Sequence, residues 1–148
     1  MSKTGKVIIG IAIGFFIIVV GVVTIGIYWW THYAKELKET GTKNIEQGKE
    51  FGKKATEQGC VDEAVARYKA NSGFSSSIST GLFLKSCLEE STPTPGFCDQ
   101  IPKQSEILKS VQWQLGQAEK TGIRDDFGRH LFSQIQIYCD EKRAKSKR

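Results

Sequence analysis

Residues 7–30 contain no aspartate, glutamate, lysine or arginine. The rest of the chain lacks the usual signatures of chemistry. There is no C-x-x-C and no Cys/His cluster, which argues against a structural zinc site or a thioredoxin-like redox centre. G-x-S-x-G, a phosphate-binding loop and H-E-x-x-H are all absent. Only two histidines occur, His32 beside the apolar run and His130 far along the chain. His130 follows Arg129 and lies one turn from Asp126, so a surface ion-pair setting suits it better than a base for a nucleophile. Glu89-Glu90 and Asp125-Asp126 fall at expected helix ends, where capping and the helix dipole account for them. No segment alternates in the manner of a strand, and no basic stripe with interleaved aromatics runs through the chain. These absences point away from an enzyme, a cofactor or metal carrier, a nucleic-acid-binding fold and a small-molecule substrate.

What is present begins with that uncharged run, VIIGIAIGFFIIVVGVVTIGIYWW. As a helix it measures roughly 36 Å, enough to cross a hydrocarbon core of about 30 Å with some tilt. A cleaved signal peptide has an apolar core of about 7–15 residues and a small-residue cleavage site. This run is longer, and it ends in Tyr28, Trp29 and Trp30, with Tyr33 just beyond. Such rings form an interface belt at the membrane surface. The expectation is therefore an uncleaved single-pass anchor at 7–30 behind a basic tail at 1–6. Lysine counts on the two sides nearly tie. The short tail and four cysteines on the far side lean toward an inside N-terminus. Gly10, Gly14, Gly21 and Thr24 share one face of the helix, and Gly10–Gly14 is a G-x-x-x-G element. That stripe is a candidate for helix packing and self-association.

Residues 31–59 carry six lysines and five glutamates, with Glu39/Lys43 and Glu50/Lys54 as i,i+4 pairs. Gly41, Gly48, Gly52 and Gly59 are spaced seven, four and seven. Each glycine costs about 1 kcal/mol of helix propensity, so a solvated helical stalk or spacer is expected. A glycine-lined helix–helix seam is the sharper alternative.

From Cys60 the chain reads as a small all-α domain over 60–141. Val61, Ala64, Val65 and Tyr68 fall on one helix face, and Asn71-Ser-Gly73 breaks it. Ser75–Ser77 can cap a second helix lasting to about Glu90. The loop 91–96 is rich in proline. Pro102 suits the first turn of a third helix to about Lys120, with Ile107, Leu108, Val111, Leu115 and Ala118 inward. Thr121-Gly122 is a stop, and Asp125 or Asp126 caps a fourth helix. The spacing predicts two helical hairpins forming a four-helix domain.

Four cysteines behind an anchor suggest two disulfides. Antiparallel hairpin register puts Cys60 level with Cys87, and Cys98 near Cys139. The alternative pairing is Cys87–Cys98 with Cys60–Cys139, and four reduced thiols in a cytosolic domain is a third reading. Residues 60–141 carry a net charge of −3 and residues 142–148 carry +5, so the basic character resides in a C-terminal tail. Phe97 in the proline loop and Trp113, off its helix's apolar stripe, are candidate partner contacts. Type IV pilin-like subunits carry a glutamate early in the apolar helix, which this run lacks. The layout of anchor, helical stalk and basic end resembles that of phage spanin-like proteins, without a shared motif.

The expected role is a non-enzymatic binding or assembly subunit. It contacts membrane lipid and protein partners in an envelope complex, with its domain outside the cytoplasm. A cytosol-facing domain whose tail meets anionic lipid or nucleic acid is the alternative. An immunity-type binder of one partner is a third.

Overall fold

A computed structural model of the chain describes residues 3–147, with side chains described for 13–32 and 38–147. It is all-helical: α1 (Lys3–Gly52), α2 (Glu57–Ala70), α3 (Phe74–Glu90), α4 (Ile107–Thr121) and α5 (Asp126–Lys145). The chain divides into two compact units, Met1–Glu39 and Thr40–Arg148.

In the first unit, Ile13–His32 is long and apolar enough to cross a membrane, and none of it is buried. Gly14 and Gly21 have open space where a Cβ would stand. The Thr24 hydroxyl is turned back to the carbonyls of Val20 and Gly21, each at 2.9 Å. Tyr28 stacks on His32 at 6.3 Å, and Trp29 and Trp30 are exposed. The side chain of Tyr33 and the surroundings of Gly10 lie outside the described residues.

The second unit starts earlier than the expected stalk boundary at residue 59. Thr40–Gly52, the last part of α1, packs on α3. Gly41 meets Leu82 Cδ1 at 3.6 Å, Gly48 meets Ser86 Cβ at 3.1 Å, and Gly52 meets Glu90 Cβ at 3.1 Å, measured from an added Cβ. The glycine spacing therefore serves a seam within the domain. Glycine removes the side chain at each close approach, and its propensity cost is offset by burial against α3. Residue numbers rise together along both helices, so α1 runs parallel to α3. Arg67 adds to the seam from α2: it donates to Gln47 at 2.9 Å and lies 3.8 Å over the Phe83 ring.

Sequence-local signals set the helix ends. Thr56 caps α2 by accepting from the Gly59 amide at 3.2 Å. Asp125 caps α5 through the Gly128 amide at 2.8 Å. Gly122 closes α4 in the left-handed region at φ 74°. α3 departs from expectation, starting at Phe74 behind Gly73 (φ 127°) with no side-chain cap. Ser77, expected among the capping serines, is buried and donates instead to the Phe127 carbonyl at 2.7 Å.

The core gathers Ala64 and Tyr68 of α2, Phe83, Leu84 and Leu88 of α3, and Leu131, Phe132 and Ile135 of α5. Tyr68 of α2 meets Asp125 at the start of α5, and Glu57 of α2 meets Tyr138 near its end. α5 is thus antiparallel to α2 and parallel to α3. α4 packs on α5 and adds Ala118 to this core, with Trp113 against its edge.

Candidate partner-binding surface

Two disulfides close the domain: Cys60–Cys87 (S–S 1.96 Å) and Cys98–Cys139 (S–S 2.03 Å). This is the pairing that hairpin register favours. Cys60, Cys87 and Cys139 are fully buried. The first bridge joins α2 to α3. The second ties the segment after the proline loop to α5.

Polar side chains hold the loop between α3 and α4. Glu57 is fully buried, yet its carboxylate accepts from Lys142 Nζ at 2.6 Å, Tyr138 Oη at 2.7 Å and the Thr94 amide at 2.6 Å. Burial alone would raise its pKa. The bonds from Lys142, Thr94 and Tyr138 outweigh burial and hold the carboxyl below its ordinary 4.5. Burial, and then the Glu57 carboxylate, push the Tyr138 hydroxyl well above the usual tyrosine range. At the other end of α5, Tyr68 donates to Asp125. Burial and that bond raise Tyr68, and the same bond lowers Asp125. Arg143 reaches the carbonyls of Cys98 and Ile101 and pairs with Asp140 at 2.9 Å. With these carbonyls and the Gln104 amide engaged, the turns continue past Pro102 and α4 begins only at Ile107.

A cleft of about 400 Å³ opens beside the loop. Phe97 and Trp113, the two aromatics singled out from sequence, both line it, together with Val61, Pro95, Ile101 and Ile135. Each is half-buried. Phe97 meets Tyr138 edge-on at 6.5 Å, and Trp113 meets Phe132 edge-on at 6.4 Å. Both rings therefore cover the core with one side and face the cleft with the other.

α4 overturns the expectation for its apolar stripe. Ile107, Leu108, Val111 and Leu115 face solvent at 72, 81, 49 and 47% exposure. The buried positions are Ser110 and Ala118, with Trp113 and Gln114 half-buried beside them. The cause lies on α5, where fully buried Gln136 interrupts an otherwise apolar face. A buried amide needs partners. Gln136 accepts from Ser110 at 3.0 Å and Gln114 at 2.6 Å, and donates to the Pro102 carbonyl at 3.3 Å. Seating α4 on its polar face satisfies Gln136 and turns the aliphatic stripe outward. Position 136 was the available signal: an amide between Ile135 and Cys139, matched by Ser110, Gln114 and Gln117 at helical spacing.

No group of His, Cys, Asp and Glu gathers in a metal-binding arrangement among the described residues. His130 is exposed, and Arg129 beside it pairs with Asp126. No protein-family model, curated protein or solved structure matches the chain.

Proposed function

We propose that the chain is a single-pass, non-enzymatic binding or assembly subunit. Its N-terminus is inside, and it presents a disulfide-stapled helical domain outside the cytoplasm within a larger envelope complex. The observation that carries this reading is the aliphatic stripe of α4, four large apolar side chains left uncovered along one helix face. Contiguous apolar surface of this kind marks protein–protein contact. The paired cysteines support an oxidising compartment.

The alternative, a cytosol-facing domain whose basic tail meets anionic lipid or nucleic acid, draws less support because it calls for free thiols, whereas the four cysteines are paired.

Two measurements test the proposal in intact cells. Alkylation before reduction should leave all four cysteines unmodified, and four alkylated thiols would overturn the placement. A photo-crosslinking residue at Val111 should give one discrete protein adduct, lost in a Leu108→Glu/Leu115→Glu background. An adduct indifferent to those charges, or none, would remove α4 as the contact.

A further inference from the structure

The cleft beside the proline loop is walled by four parts of the chain: α2 through Gln58, the segment 94–101, α4 through Trp113 and Gln117, and α5 through Ile135. Its volume of about 400 Å³ falls within the roughly 300–1,000 Å³ of sites that hold a small ligand. Phe97 and Trp113 give it ring surface, and three carboxamides stand around them. Gln58 donates Nε2 to Asp62 at 2.9 Å, which leaves its carboxamide oxygen to accept. The side chains of Gln100 and Gln117 make no hydrogen bond among the described residues. Thr94 also belongs to the wall, and its hydroxyl is the one buried side-chain polar atom without a partner among the described residues. No residue of the wall is charged. Of the acids nearby, Asp62 is engaged by Gln58, Asp99 lies beside Gly96, and Glu119 follows two residues after Gln117; none of them lines the cleft.

We propose that this cleft binds a neutral saccharide. The ligand has to offer an apolar face to the two rings and a polar edge to the carboxamides. A carboxamide both donates and accepts, and so does a hydroxyl. A sugar ring joins the two properties: its C–H face packs on aromatic rings, and its hydroxyls serve both halves of each amide. The unmet Thr94 hydroxyl belongs to the same chemistry. An anion would meet no cation in the wall and acids around it. A cation would find no carboxylate there. An extended peptide calls for a groove open at both ends, whereas four chain segments surround this cleft. The site is separate from the α4 stripe, since none of Ile107, Leu108, Val111 and Leu115 lines it. Either can fail without the other.

The test uses the full chain in phosphatidylcholine nanodiscs, which bring no sugar headgroup. It is applied to printed arrays of neutral glycans, acidic glycans and uncharged proline-containing peptides. The expected result is binding to neutral glycans, weakened roughly 2- to 10-fold by loss of a neutral hydrogen bond in Gln100→Ala, Gln117→Ala or Thr94→Val. Leu108→Glu/Leu115→Glu should bind the same glycans unchanged, which keeps this site apart from the α4 contact. Competition by a free trisaccharide assigns a soluble sugar, and competition by the parent polysaccharide alone assigns an envelope polymer; either supports the cleft. Binding confined to acidic glycans overturns the proposal, as does binding to the peptides in place of glycans. Binding to none of the three arrays overturns it as well. Neutral-glycan binding that all three cleft variants leave unchanged places the sugar elsewhere and also overturns it.

Discussion

Replacing Gly48 by alanine should loosen α1 from α3. The added Cβ would overlap the carbonyl oxygen of Phe83 and stand 3.1 Å from Ser86 Cβ. The obstacle is main chain inside a helix, so no rotamer change relieves it and α1 must move. Overpacking of this kind costs about 1–3 kcal/mol. Alanine regains about 1 kcal/mol of helix propensity over glycine. The net expectation is a loss of roughly 0–2 kcal/mol, against the gain expected at an open glycine. Gly52→Ala meets the Cys87 carbonyl and Glu90 in the same way. The double variant should cost less than the sum, because one displacement of α1 relieves both overlaps. Gly116→Ala is the control. It sits within α4 with nothing within 4 Å, so it should add about 1 kcal/mol. The assay is urea unfolding of the full chain in detergent, followed by helical circular dichroism with disulfides intact. If Gly48→Ala stabilises as much as Gly116→Ala, residues 40–52 are a free spacer and the seam argument fails.

Three further outcomes are expected. Glu57 has its folded pKa held below the ordinary 4.5. Its contribution is therefore present above that value and lost as pH falls through the folded one. The acid limb of a stability–pH curve should flatten in Glu57→Gln, which should also lose about 1.5–3 kcal/mol at neutral pH. Cys98→Ala/Cys139→Ala should cost about 2–4 kcal/mol, and reductant, which opens both bridges, should lower wild-type stability by more. Leu108→Glu should change stability by no more than about 0.5 kcal/mol, since that side chain is exposed. Severe destabilisation, read by thermal unfolding, would return the α4 stripe to the core.

Much of this architecture was legible in the chain because local signals and tertiary contacts agree. Asp125 caps a helix, Gly122 ends one, and hairpin register brings each cysteine to its partner. The Thr56 cap was missed, because the first domain helix was expected to begin only at Cys60. Phe97 stood out in the proline loop and Trp113 off its helix's apolar stripe, and both line one cleft. Two features escaped because each turns on a residue in another helix. Periodicity located the aliphatic stripe of α4 but not the direction it faces, which Gln136 of α5 decides. The glycines of residues 41–52 read equally as the weakness of a spacer or the closeness of a seam, and only α3 distinguishes them. Phe127 kept helical phase with Leu131 and Ile135, yet it lies one turn beyond the end of the core they share.

Neither disulfide reaches α1. Both cross-links fall within Cys60–Cys139, whereas Thr40–Gly52 is held to α3 by non-covalent contacts alone. A force applied to the chain ahead of Thr40 would therefore meet the seam at Gly41, Gly48 and Gly52 before it met either disulfide. Pulled free, residues 40–56 would span at most roughly 55–60 Å, with both disulfides still closed.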